Sequence, residues 1–218
     1  MSAQSEGAEV TAGLFSTPWG QGVILLRAGL LAAVVLPSLA RPEADAPEPG
    51  VTGLTAPEVA GTTASNSFSA PAQPDLDSVR WLDKGDSTHL DKWVFELEQY
   101  FRGERLSWSL EEVPLELVAA TPFARDVYRA LLHVPPGETV TYGRLAKSAG
   151  YPRAARAVGT LMASNPFPIV LPCHRVIRAD GSLGKYGEDS RWKALLLAHE
   201  RAHLARSRSR AGRLSETM

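Results

Sequence analysis

Residues 41–78 divide this chain. Pro, Ala, Gly, Ser and Thr dominate the stretch, and large apolar side chains are sparse in it. Such a segment buries too little surface to offset the entropy of ordering it, so it reads as a long loop or linker, partly disordered. A loop of that length is unusual inside one compact domain. The 218 residues leave room for one large or two small domains. The reading is therefore a modest N-terminal unit, the loop, and a separate C-terminal unit, in an α/β or α+β fold.

The N-terminal unit begins with a small, polar stretch over residues 1–12, expected as a loose end. Two apolar runs follow, Val23-Ile-Leu-Leu26 and Leu30 to Leu36, around Arg27-Ala28-Gly29. They predict a β-hairpin; a buried helix is the competing reading, since Leu and Ala are frequent there. The apolar run is too short to span a bilayer. No basic region precedes it, so neither a membrane span nor a secretory signal is expected.

From Leu90 the period becomes helical, with Leu90, Trp93, Leu97 and Phe101 on one face and Gly103 as the stop. Ser107–Leu110 and Val113–Leu117 read as short extended connectors. The C-terminal unit starts near Ala120. Thr121-Pro122 has the form of a helix start, with Thr as the cap and Pro in the first turn. Thr141–Ala149 and Arg153 to about Ser164 predict two short helices joined through Gly150, a helix-turn-helix pattern. Val176-Ile177-Arg178 with Asp180-Gly181 reads as a hairpin turn. A last helix is expected from about Asp189 to Ala205, with a frayed basic tail over 206–218. The expected organisation is an N-terminal unit over 1–90, a connecting helix and linker over 91–119, and the helix-turn-helix unit over 120–205.

Charge sorts the two halves. Residues 121–218 carry 16 Lys+Arg against 7 Asp+Glu, a balance of +9; of the 23 basic and 24 acidic residues in the chain, 7 and 17 remain for residues 1–120, a balance of −10. A polyanion partner is thus expected of the C-terminal half alone. In the helix-turn-helix, Arg153 and Arg156 are placed to meet phosphates. The second helix is otherwise rich in Ala154, Ala155, Ala157, Gly159 and Ala163. A helix of small residues can approach a groove closely but lacks the long polar side chains that read bases.

The one cysteine, Cys173, excludes an internal disulfide and any multi-cysteine zinc site. It suits a reducing compartment. A lone cysteine is often only a small buried hydrophobe. Here His174 is adjacent, and an imidazole can take a thiol proton and expose the nucleophilic thiolate. The carboxylate that would orient His174 is Glu200, Asp180 or Glu188; spacing does not choose among them.

Pro172-Cys-His-Arg-Val176, preceded by Asn165-Pro-Phe-Pro168, resembles the active-site signature of the methylated-DNA–protein-cysteine methyltransferases, the alkylguanine-DNA alkyltransferases. Thr121-Pro-Phe123, Pro136-Gly-Glu-Thr-Val-Thr-Tyr-Gly143, Arg156-Ala-Val-Gly159, Asp180-Gly-Ser-Leu-Gly184 with Tyr186, and Leu196-Leu-Ala-His-Glu200 extend the likeness in family order. It covers about residues 92–200.

The resemblance implies a cytoplasmic, nucleoid-associated repair protein, monomeric and without cofactor, whose partner is double-stranded DNA containing alkylated guanine. It would take the alkyl group from the 6-oxygen of guanine, and less well from the 4-oxygen of thymine, onto Cys173, irreversibly. His174 would deprotonate the thiol through a water, Glu200 would orient His174, and Asn165 would link the helix-turn-helix to the site. Arg156 would replace the extruded nucleotide in the stack, with Ala155, Gly159 and Arg153 also at the DNA. Tyr142 would push on a phosphate and donate toward the base, while Tyr186, Val176 and Gly184 would wall the base pocket. The fold implied is a shortened or degenerate ribonuclease-H-like α/β domain followed by a mostly helical domain with a winged-helix-like helix-turn-helix. The sequence departs from the family pattern at Ala124, Tyr128 and Gly187-Glu188-Asp189, the last two acids being expected to narrow the substrate range or weaken DNA approach. Alternatives are a lesion-binding alkyltransferase-like protein that transfers nothing, a helix-turn-helix regulator, and a Cys-His hydrolase. Cys173 weighs against the first, the lack of a second DNA-binding unit against the second, and the lack of a recognisable oxyanion loop against the third.

Overall fold

The computed structural model describes residues 9–39, 79–184, 186, 189 and 191–215, with backbone alone at 117 and 210–215. Residues 41–78, on which the linker reading rests, lie outside the described residues, as do Gly187 and Glu188.

The apolar runs Val23–Leu26 and Leu30–Val35 lie in the second and third of three consecutive strands. β1 (Val10–Thr17), β2 (Gly20–Arg27) and β3 (Leu30–Val35) pair antiparallel in sequence, and the short β4 (Arg80–Trp81) joins β1 in parallel, giving the order β3-β2-β1-β4. The turn between β2 and β3 has positive φ at both central residues, Ala28 (51°) and Gly29 (75°), the geometry that matches the twist of a two-residue hairpin. The predicted hairpin is thus part of a three-stranded meander. β1 begins inside the stretch expected to be loose, because Val10–Thr17 pairs along its whole length with β2 and buries Ala12 and Phe15.

α1 (Thr88–Arg102) lies across this sheet. Ser87 caps its start, and Gly103 ends it at φ +74° with its N–H bonded back to Tyr100. Its buried stripe of Leu90, Trp93, Leu97 and Phe101 meets Phe15, Ile24, Leu26 and Leu31 of the sheet. The same core continues into the C-terminal helices through Val127, Leu131, Val158, Trp192 and Leu196. The connector expected to be extended is instead helical in two places. Leu110–Glu112 forms a single 3-10 turn, because Ser109 and Glu112 make a reciprocal cap, and α2 (Leu115–Val118) forms one α-turn.

Four further helices lie among the described residues. α3 (Pro122–Leu132) is capped by Thr121. α4 (Tyr142–Ser148) and α5 (Ala155–Ala163) form the helix-turn-helix pair, joined through Gly150 at φ +89°. α6 (Arg191–Ser215) runs on through the residues expected to fray. Between them β5 (Val140–Thr141) and β6 (Val176–Ile177) pair in parallel. The turn expected after Val176 is present at 178–182, but among the described residues the strand that pairs with β6 comes from the start of the helix-turn-helix. The described residues are a mixed α+β structure with a small sheet and several helices. None of their helices is long and apolar enough to cross a membrane.

Gly103 bears on how α1 meets α6. Its positive φ disfavours any side chain, and a Cβ there would run into the ring of His203. Gly103→Ala is expected to lower stability by about 1–3 kcal/mol, read as a fall in the denaturant midpoint with an unchanged slope.

Candidate active site

The site is built on the irregular run from Asn165 to Val176. Pro172 has φ −78° and ψ 59°, and the N–H of Cys173 donates to the carbonyl of Leu171 at 2.7 Å. That is an inverse γ-turn, for which the proline ring pre-sets φ. It delivers Cys173, His174 and Arg175 onto one 3-10 turn, all three buried. Ile169, a β-branched residue, is held at φ +76°, a conformation that persists only where the surroundings enforce it. Asn165 supplies part of that enforcement: its amide donates to the Leu171 carbonyl at 2.9 Å and to the Cys173 sulfur at 3.0 Å, and its side-chain oxygen accepts from the N–H of Phe167 at 3.0 Å. The sheet braces the same run, for the N–H of Val34 on β3 donates to the carbonyl of Pro166 at 2.9 Å.

Behind the thiol stands Glu200 on α6, fully buried. Its Oε1 accepts from His174 Nε2 at 2.8 Å, from Arg175 Nη2 at 2.8 Å and from the Tyr100 hydroxyl at 3.0 Å. Its Oε2 accepts from the N–H of Gly137 at 2.6 Å, and Arg175 Nε reaches both oxygens at 3.2 Å. Arg175 also donates to the carbonyls of Val134 (2.7 Å) and Leu106 (2.6 Å). Burial alone would push the Glu200 carboxyl up; the bonds and charges of His174 and Arg175 outweigh it and hold the group at about 2. Glu200 is thus ionised and accepts only, which fixes the proton of His174 on Nε2 and leaves Nδ1 as the basic nitrogen. Nδ1 is buried and has no hydrogen-bond partner among the described residues.

Two opposed shifts set the resting state. Burial pushes the Cys173 thiol up against the pull of Asn165, Tyr186 and the charge of Lys193. Burial likewise pushes His174 down in spite of Glu200. Cys173 therefore rests as a thiol beside a neutral imidazole, and a thiolate, once formed, meets the Asn165 amide and a cation.

The remaining predicted residues fall at measurable places. Tyr142 opens α4, directly after Thr141 of β5, so the parallel pairing of Val140 with Val176 ties it to the Cys173 run. Burial and then the charge of a Cys173 thiolate raise its pKa. Gly159 of α5 faces Tyr142, a Cβ there lying 4.0 Å from the ring. Arg153 and Arg156 are exposed at the start of α5, and Ala155 is half-buried beside them. Val176 is buried next to the site, Gly184 turns at φ +72°, and the buried hydroxyl of Tyr186 lies toward the Cys173 sulfur without the geometry of a made hydrogen bond. Of the alternative carboxylates, Asp180 is spent on Ser182 (2.9 and 2.7 Å), and Glu188 lies outside the described residues.

Sequence reading passed over Tyr100, Arg175 and Lys193 as members of the site. Lys193 is buried, with its ammonium 5.7 Å from the Tyr142 ring centroid. Its signal was available, since it precedes Glu200 by two helical turns on one face. Tyr100 comes from a separate helix and left no such signal. The run His199-Glu200-Arg201-Ala202-His203 has the spacing of a helical zinc motif. Here Glu200 turns inward, His199 bonds the Tyr100 carbonyl at 2.9 Å, and no group of three ligating side chains is found among the described residues.

Residues 122–202 match the family model for the 6-O-methylguanine DNA methyltransferase DNA-binding domain. A methylated-DNA–protein-cysteine methyltransferase of Mycolicibacterium paratuberculosis is 48% identical over 145 residues, covering 62% of this chain and 85% of that protein. The crystal structure of Mycobacterium tuberculosis O6-methylguanine methyltransferase superposes with a TM-score of 0.59 at 27% identity over 89% of this chain and 94% of that one. The structure of the same organism's OGT in complex with DNA gives 0.60 at 26% identity, over 88% and 94%.

Glu200→Gln leaves Arg175 buried without its counter-charge, so a loss of about 3–5 kcal/mol is expected by denaturant titration. The sign with pH follows from the depressed carboxyl. The stabilisation from Glu200 is complete above its unfolded value near 4.5 and is lost as pH falls through about 2. The variant should show a flatter decline of stability over that window than the parent protein.

Proposed function

The chain belongs to the methylated-DNA–protein-cysteine methyltransferase family, and we propose that Cys173 is the atom-accepting residue of its repair reaction. The protein repairs DNA by alkyl transfer to itself, and DNA is its partner. The observation that carries the assignment to Cys173 is the Asn165 amide, which donates to its sulfur at 3.0 Å, with the adjacent His174 bonded to the buried Glu200 at 2.8 Å.

The substrate is 6-O-alkylguanine in a duplex, and to a lesser degree 4-O-alkylthymine. The reacting carbon lies inside the base stack, so the nucleotide is extruded, at a cost of a few kcal/mol that is least for a mispaired lesion. Phosphate contacts offset that cost, consistent with the +9 balance of residues 121–218. Arg156 fills the place of the extruded nucleotide, while Arg153, Ala155 and Gly159 lie against the groove. Their small or flexible side chains suit a protein that must accept a lesion in any sequence. Tyr142 presses on a neighbouring phosphate and then donates to the base. Tyr186, Val176 and Gly184 wall the pocket.

Chemistry then needs one proton transfer and one displacement. His174 Nδ1 takes the thiol proton through a water, and Glu200 balances the imidazolium that forms. The thiolate sulfur attacks the alkyl carbon; the S–C bond forms, the C–O bond breaks, and the electron pair stays on the guanine, which Tyr142 protonates. The product is a stable thioether, so each molecule acts once.

The finer architecture follows the same reading. The N-terminal sheet belongs to a reduced ribonuclease-H-like domain over 1–90, 91–119 with most of α1 is the connection, and 120–205 is a winged-helix-like DNA-binding unit. The protein acts as a monomer in the cytoplasm, at the nucleoid.

Duplex carrying labelled 6-O-methylguanine tests this. Label is expected on the protein, and none on Cys173→Ala. Arg156→Ala is expected to lose at least tenfold in transfer from duplex while still reacting with the free alkylated base. Label on the Cys173→Ala protein, or equal loss on both substrates, contradicts the assignments.

A further inference from the structure

One cation beside the site has no part in these steps. Arg178 directly follows β6, whose Ile177 pairs with Thr141 of β5. Tyr142 directly follows Thr141, so the parallel register sets Arg178 and Tyr142 next to each other. The turn holds the backbone of Arg178: its N–H donates to the Ser182 carbonyl at 2.9 Å, and its carbonyl accepts from Gly181 at 3.1 Å. Gly184, at φ +72°, backs the side chain so closely that a Cβ there would stand 3.3 Å from Arg178 Nε. The guanidinium is thus seated on backbone, although the residue is exposed.

The seated guanidinium has no hydrogen bond or ion pair among the described residues. Asp180 feels its charge but gives its Oδ1 to Ser182. Lys193 approaches from α6, its ammonium 5.7 Å from the Tyr142 ring, and it too lacks a carboxylate partner among the described residues. The two cations act on one another: after burial, the charge of Arg178 lowers the pKa of Lys193. Among the described residues, Asp180 is the carboxylate that feels the charge of Arg178, and like charges brought this close oppose folding. An arriving anion relieves that repulsion. Lys193 is buried, whereas Arg178 faces outward with a planar fork of donors suited to two phosphate oxygens.

We propose that Arg178 grips a DNA phosphate flanking the extruded nucleotide, beside the one that Tyr142 presses. The proposal rests on the base-extrusion reading above. Binding of the full chain to lesion-bearing duplex is measured against salt for the parent protein, Arg178→Gln and Arg178→Lys. In each case it is repeated with single neutral methylphosphonates at the flanking positions. Arg178→Gln is expected to bind about tenfold more weakly and to flatten the log–log salt slope by about 0.9; Arg178→Lys keeps the slope. One methylphosphonate should weaken the parent protein and leave Arg178→Gln unaffected. An unchanged affinity and slope in Arg178→Gln, or equal weakening of parent and variant by every methylphosphonate, overturns the contact. Binding is read without transfer, so a parent protein that binds duplex but takes up no label sinks the alkyl-transfer reading separately.

Discussion

A single carboxylate organises this molecule. Glu200 sits fully buried on α6 and accepts from His174, Arg175, Tyr100 and the backbone of Gly137. Those donors come from α1, from the turn before β5, and from the 3-10 turn that carries Cys173. A charge taken so far from water is tolerated only because every lone pair finds a donor. The same bonds that settle the electrostatics also fix the tautomer of His174.

Around that hub the backbone does two further things. The inverse γ-turn at Pro172 and the Asn165 clip hold the sulfur in one place. The two-residue pairing of β5 with β6 joins this loop to the start of α4. The helix-turn-helix and the thiol are therefore joined by covalent and hydrogen-bonded structure. The N-terminal sheet contributes from outside, with Val34 bonded to Pro166 and the Trp192 indole N–H donating to Pro37 at 3.0 Å.

Much of this was legible from local pattern. The stripe of α1 and its glycine stop, the Thr-Pro start of α3 and the two short helices around Gly150 follow from periodicity and capping, which are written within a few residues. What escaped the reading depends on contacts between distant segments. β1 was passed over because its polar and small residues become a strand only by pairing with β2. The partner of β6 was misplaced because a parallel pair leaves no turn to announce it. Cys173 and His174 stood out by adjacency, but the choice of Glu200 over Asp180 and Glu188 came from resemblance, not spacing. Tyr100 and Arg175 became visible as members of the site only once α1 and α6 were seen to meet.

The central claim is that Cys173 is a reagent consumed by the reaction. Its sharpest test is a titration of the protein with excess duplex containing labelled 6-O-methylguanine, followed by peptide mass analysis. The account predicts a plateau at one methyl group per chain, carried as S-methylcysteine at position 173. Continued demethylation beyond one equivalent, or a methyl group on any other residue, would contradict it.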